Sequence, residues 1–268
     1  MKKQQGGTAL FVVVLLFMAI MLVPAVSARE QDDTARAKVP STIKVYSLVE
    51  LNPTEILERI NAGKSVNISF CGKPFELKLV LNNMRSADYK AYIKDENGVH
   101  EIEPPEPATY KGEVVGDLNS TVRLTITPDW VSGSVSCDKG WYWIEPLNGY
   151  KKAEAGTNIT HYTYKTTDTE FEIYLGDDVI LISEDDSISY ISAIDSLPVT
   201  SRVTTLYADI ICDGDVEFYN IDPSSWATRQ ATVINNVEGI YDSQIDIEFD
   251  IVGQETWVSD GPLTSTDC

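Results

Sequence analysis

Two histidines, His100 and His161, are all the imidazole this 268-residue chain contains, so a three-histidine zinc site cannot be assembled from it alone. His100 is followed by Glu101, but Ile102, Glu103, Pro104 and Pro105 come next. No second histidine stands one helical turn on, and prolines occupy the ground where a helix would have to run. His161 stands in a strand-like segment. Cys71, Cys137, Cys212 and Cys268 are too scattered for metal-ligand spacing; in an exported chain they are disulfide candidates, with three connectivities if all of them pair. Asn67, Asn119 and Asn158 each open an N-x-S/T sequon and are glycosylation candidates.

Other constellations reduce to structure. Gly63-Lys64-Ser65 echoes a phosphate-binding loop, but Glu58 stands where its first glycine belongs, so Gly63 reads as a helix C-cap. Asp213-Gly214-Asp215 lacks the rest of a calcium loop and reads as a turn. Trp130, Trp141 and Trp143 suggest a sugar platform less readily than core packing, since alternation places Trp141 and Trp143 on one face. Glu101, Glu103 and Glu106 sit in a proline-rich stretch and read as a solvated face. No G-x-S-x-G nucleophile motif occurs.

The charge balance narrows the class. With 41 acidic against 21 basic residues and a formal net charge of −20, phosphate backbones and anionic membrane surfaces are repelled. The chain is 43% hydrophobic, which suits a folded protein with a substantial core. Lys2 and Lys3 precede an apolar run from Ala9 to Val23, and small residues through Ala28 offer a cleavage site. Residues 1–28 therefore read as a secretory signal, or else as an uncleaved N-terminal anchor, and the body of the protein is expected outside the cytoplasm.

A strand is expected over Thr42–Leu48. Asn52-Pro53 then starts a short helix, with Ile56, Leu57 and Ile60 as its apolar stripe and Gly63 as its stop. From Val66 to Glu145 strand follows strand, punctuated by turn residues, as in an antiparallel sandwich or barrel. A hairpin is expected over Phe171–Ile182 and a polar linker over Ser183–Ser201. Beyond it come a buried strand over Thr205–Cys212 and a helix of about five turns opened at Asp222-Pro223, with Ala227, Ala231, Ile234, Val237 and Tyr241 on one face. A half-buried strand over Ile245–Val252 completes a βαβ unit, whose strands are expected to be parallel.

Taken together, Tyr110-Lys111-Gly112-Glu113-Val114, Ser120-Thr121-Val122-Arg123-Leu124, Gly133, Trp141-Tyr142-Trp143-Ile144-Glu145-Pro146-Leu147 and His161-Tyr162-Thr163-Tyr164 resemble the propeptide of reprolysin-like (adamalysin, M12B-type) zinc metalloproteases. Ala208–Asp215, Phe218-Tyr219, the following helix and Ile245–Val252 look like the start of the matching catalytic domain. The resemblance implies a zymogen-type zinc endopeptidase, with zinc held by an H-E-x-x-H-x-x-G-x-x-H motif that these residues do not contain. It implies calcium near Asp209, whose partners would lie downstream. It also implies a pro-segment lying against the catalytic domain, often through a cysteine. No cysteine stands between His161 and Cys212 to do so, and Tyr174-Leu175-Gly176-Asp177 resembles an aspartate switch less than a hairpin turn.

The fold class expected is thus a mainly β pro-domain over 29–200, as a sandwich or barrel, followed by an incomplete α/β metzincin-like catalytic domain over 201–268. No catalytic residue is expected within the chain, and zinc is expected only in the full-length protein. Its partners would be protein or peptide substrates of the full enzyme, with no nucleic acid and no membrane beyond an N-terminal anchor. The alternative is a non-catalytic exported β-sandwich module acting in adhesion or as an inhibitor.

Overall fold

Alternation of inward apolar and outward polar residues dominates the chain from Ser47 to Lys165 and draws it into one large antiparallel sheet. In the computed structural model, residues 38–154, 156–170 and 206–259 are described. The strands are β1 (Ser47–Leu51), β2 (Val66–Phe70), β3 (Lys73–Leu81), β4 (Arg85–Asp95), β5 (Gly98–Ile102), β6 (Thr109–Val114), β7 (Asp117–Ile126), β8 (Val131–Cys137), β9 (Gly140–Pro146), β10 (Ile159–Lys165), β11 (Leu206–Gly214) and β12 (Ile247–Trp257). Helices are α1 (Pro53–Asn61), α2 (Val216–Ile221) and α3 (Trp226–Ile245). The described residues from Pro40 onward belong to one compact unit.

Eight strands form a sheet in the order β1-β10-β9-β8-β7-β6-β3-β2. Its ends come together into a nearly closed barrel. The Thr163 hydroxyl of β10 accepts from the Cys71 N–H after β2 at 2.9 Å and donates to the Ser47 carbonyl of β1 at 3.3 Å. The barrel is filled by Leu77, Val122, Leu124, Val135, Tyr142 and Ile144, all fully buried. Burying each such side chain contributes about 1.5–3 kcal/mol. Phe70, Phe75 and Tyr142 meet edge-on or tilted, with ring centroids 5.2–6.4 Å apart. Helix α1 bridges β1 and β2 as its sequence signals require: the Asn52 side chain caps it by accepting from the Glu55 N–H at 3.3 Å, and Ile56 packs onto the core.

Two glycines let strands crowd. A β-carbon on Gly133 in β8 would lie 2.1 Å from the Arg123 carbonyl oxygen, and one on Gly112 in β6 would lie 2.0 Å from that of Lys78.

The second sheet has four strands in the order β11-β12-β4-β5. β11 and β12 are parallel, as the βαβ pattern predicts, and β12 is also parallel to β4. The β4-β5 hairpin thus leaves the barrel's chain order to extend a sheet whose other strands come from beyond residue 200. The expected linker over Ser183–Ser201 and the hairpin over Phe171–Ile182 lie outside the described residues. So does the N-terminal apolar run.

Local differences from the sequence reading have clear causes. β1 starts at Ser47 rather than Thr42, and two short elements lie outside the expected set: β5, a mostly exposed hairpin strand, and α2, a six-residue helix capped by Asp215. The expected apolar stripe of α3 is only partly covered, and Tyr241 is exposed. The helix instead buries Arg229, Gln230, Thr232, Asn235, Glu238 and Gly239, because it is wedged between the barrel and the second sheet. Trp141 and Trp143 do not enter the core: Tyr142 and Ile144 point inward, and the two indoles stack outside with centroids 6.0 Å apart, continuing to Tyr164 and Tyr162.

Candidate functional site

Arg123 lies between Val122 and Leu124, both of which point into the barrel, so the alternation of β7 sends its side chain outward. It is nonetheless only 4% exposed, because α3 covers it. Its Nη2 donates to Asp242 Oδ2 at 3.0 Å, and its Nε lies 3.5 Å from Glu238 Oε2. One turn of α3 therefore brings two carboxylates onto one guanidinium. Gly239 stands between them, and a β-carbon there would fall 2.6 Å from Arg123 Cγ. The absent side chain is what lets the helix backbone lie on the arginine stem.

Glu238, 2% exposed, joins three elements. Its Oε2 accepts at 2.7 Å from Nδ2 of Asn82, the first residue after β3, and its Oε1 accepts from the Phe249 N–H of β12 at 3.3 Å. Asn82 also donates to Asn235 Oδ1 at 3.0 Å, and Asn235 Nδ2 in turn approaches the carbonyls of Tyr110 and Leu124 at 3.4 and 3.3 Å. Ser134 of β8 donates to Asn236 Oδ1 at 3.0 Å. A charge taken out of water needs this degree of pairing, since removing one partner of a buried ion pair costs about 3–5 kcal/mol.

A second buried polar group lies beside it on the barrel's outer face. Tyr150 OH and Ser132 Oγ donate to Glu145 Oε2 at 2.8 and 2.9 Å. Burial outweighs those bonds and pushes the Glu145 carboxyl up to about 7. Tyr150 meets Trp130 edge-on at 4.9 Å, and the Arg229 guanidinium of α3 lies 5.9 Å from the Tyr150 ring and 4.2 Å from that of Phe218. His161 is fully buried; its Nε2 accepts from the Val131 N–H at 3.0 Å, so its Nδ1 carries the proton and donates to the Ile159 carbonyl at 2.9 Å. Burial lowers its pKa to about 4.

These arrangements link separate elements of the fold. His161 has both nitrogens in use, and exposed His100 pairs with Asp95 at 3.2 Å. Among the described residues no group of three or more His, Cys, Asp or Glu stands together to hold a metal. The described residues therefore bring together no set that fits a catalytic zinc ion. Asp209 lies exposed on β11 beside Asp250 of β12. Asp215 caps α2 through a 2.6 Å bond from the Phe218 N–H, and the Gly63 backbone is left-handed after α1, so both motifs serve turns and caps.

Cys71, Cys137 and Cys212 are free thiols, and Cys268 lies outside the described residues. Asn67, Asn119 and Asn158 are exposed on separate stretches of the barrel. The Arg123 clamp was not singled out in the sequence, although Arg123 stands inside the motif that carries the family resemblance. An arginine between inward-facing apolar residues was its only signal.

No family model matches the chain. A human protein, disintegrin and metalloproteinase domain-containing protein 23, is 26% identical over an alignment of 219 positions that covers 76% of this chain and 26% of that protein. The chain is similar to a metalloproteinase-domain protein. It spans about a quarter of that relative's length. The matched region is long enough to take in most of the barrel's strands.

Proposed function

We propose that residues 40–170 are the pro-region of a secreted, zymogen-type zinc metalloendopeptidase and that residues 206–257 open its catalytic domain. Supporting this reading above all is the similarity to a metalloproteinase-domain protein across 76% of the chain; the Arg123 clamp ties the motif-bearing strand β7 to the helix that follows β11. Peptide hydrolysis in the complete protein would use a zinc-bound water, with every metal ligand outside these residues. Within them, the work is positional: Arg123, Glu238 and Asn82 orient α3, and β4 orders β12.

The test is direct. Antibody raised to the barrel is used to precipitate the protein from its source, and the precipitate is assayed for zinc and for peptide hydrolysis with and without 1,10-phenanthroline. A zinc-bearing, phenanthroline-sensitive species is expected. Absence of zinc from every precipitated form would overturn the reading in favour of a non-catalytic exported module.

A further inference from the structure

Glu145 shares the outward face of β9 with Trp141 and Trp143, while Tyr142 and Ile144 point into the barrel. Directly across on β10, Tyr162 is paired with Glu145 and Tyr164 with Trp143. The rings of Trp143, Tyr164 and Tyr162 follow one another nearly parallel, with centroids 6.5 and 6.0 Å apart, and so flank the carboxyl. That carboxyl is used on one side only. Oε2 accepts from both Tyr150 and Ser132, whereas Oε1 accepts from no described residue. Among the described residues Glu145 enters no ion pair, and Lys151 and Lys152, which follow Tyr150 in the chain, are exposed and do not reach it. Glu145 keeps partial contact with solvent. The Tyr162 and Tyr164 hydroxyls also bond to no described residue, yet both feel the Glu145 charge, which adds to burial in raising their pKa values.

We propose that this end of the aromatic row is a binding site for an alkylammonium group, the lysine side chain of a partner peptide. An ammonium brings three N–H donors, one each for Glu145 Oε1 and the two phenol oxygens. A guanidinium prefers both oxygens of one carboxylate side by side, and here Oε2 is already taken by Tyr150 and Ser132. A hard metal cation asks for more oxygen ligands than one carboxylate and two phenols supply. The aromatic rings suit the lysine stem, whose methylenes lie along apolar surface while the head group finds its charge partner. With 41 acidic against 21 basic residues, the chain as a whole draws cationic partners toward it. The site is separate from the Arg123 clamp and depends neither on zinc nor on the protease reading.

The surrounding charges give binding a pH signature. The Glu145 carboxyl titrates near 7. Around it, the phenols of Tyr150, Tyr162 and Tyr164 are all raised, Arg229 stands beyond the Tyr150 ring, and His161, turned into the barrel, is neutral above about 4. Between pH 6 and 8 the charge that changes is therefore that of Glu145, and its ionised fraction rises about tenfold while the lysine ammonium stays charged.

The experiment titrates N-acetyl-lysine methylamide into the full chain and follows the tryptophan indole N–H resonances by NMR, with the neutral norleucine and the arginine analogues run in parallel. A saturable shift is expected, about tenfold tighter at pH 8 than at pH 6, with both other analogues at least about fivefold weaker at pH 8. Glu145→Gln should weaken binding at pH 8 by about tenfold or more and remove its pH dependence. If Glu145→Gln fails to fold, the pH profile of the parent decides. No saturable shift with the lysine analogue, equal binding of the norleucine or arginine analogue, a flat pH profile in the parent, or unchanged binding by Glu145→Gln would each overturn the proposal.

Discussion

Gly239 of α3 lies so close to Arg123 of β7 that a β-carbon on it would stand 2.6 Å from the arginine Cγ. A glycine in the middle of a 20-residue helix costs about 1 kcal/mol relative to alanine, and here that cost is offset by a guanidinium shared between two carboxylates. Gly239→Ala should therefore reverse the usual sign of such a change. The helix gains its propensity, the docked arginine is displaced, and the net result is a loss of about 1–3 kcal/mol in urea denaturation. Ser243→Ala, on the exposed side of the same helix, should stay within about 0.5 kcal/mol of the parent. A stabilised Gly239→Ala protein would show that the helix does not rest on Arg123.

Gly133 and Gly140 both have positive φ, at 142° and 113°, but only Gly133 is crowded, with the Arg123 carbonyl oxygen 2.1 Å from where a β-carbon would be. Gly133→Ala is expected to cost more than about 3 kcal/mol or to abolish soluble expression. Gly140→Ala should cost about 1–2 kcal/mol, from backbone strain alone. Thermal unfolding of the pair separates contact from strain, and equal shifts would refute the close approach of β7 and β8.

Two buried groups set opposing pH slopes. Glu145 has its folded pKa raised to about 7, so it favours the folded state at low pH and loses that contribution as pH rises through 7. Discounted for the residual solvent contact of the residue, the loss is about 2 kcal/mol by pH 8. Glu145→Gln should be more stable than the parent at pH 8 and equal to it near pH 4.5. A parent and variant with parallel stability curves from pH 4.5 to 8 would show that Glu145 titrates normally.

His161 has the opposite sign. Its folded pKa is lowered to about 4, so its contribution is complete above the ordinary histidine value and disappears as pH falls from about 6.5 through 4. His161→Gln, which keeps a polar group for the Val131 N–H, should cost stability at neutral pH but flatten the acid limb of the curve below pH 6.5. Chemical denaturation at half-unit intervals measures both limbs.

Burial pushes the Cys212 thiol up to about 11, which leaves very little thiolate at pH 8. Iodoacetamide should alkylate Cys212 about a hundredfold more slowly than a small thiol peptide in native buffer, and at the peptide rate in denaturant. Peptide mapping of the labelled protein gives the rate residue by residue. Rapid native labelling would mean that β11 is more open than its packing indicates.

Much of this architecture is legible along the chain. Period-2 alternation from Val66 to Glu145 marks the strands, Asn52-Pro53 and Gly63 bracket α1, and the strand–helix–strand rhythm after residue 205 yields parallel β11 and β12. These are local properties, determined by side-chain spacing and backbone preference within a few residues. Tertiary structure alone decided the rest. Whether Trp141 or Tyr142 faces the core is decided by register with β8 and β10, because both faces of β9 are aromatic and only Glu145 beside the tryptophans and Ile144 beside Tyr142 mark them apart. That β4 leaves the barrel to pair with β12, and that Arg123 is buried rather than solvated, depend on residues more than 100 positions away. A buried charge becomes tolerable only when its partners arrive, and Asp242 and Glu238 arrive on a helix whose apolar stripe pointed elsewhere. Single-sequence periodicity records which faces are apolar; it carries no term for the pairing of two polar faces that bury each other.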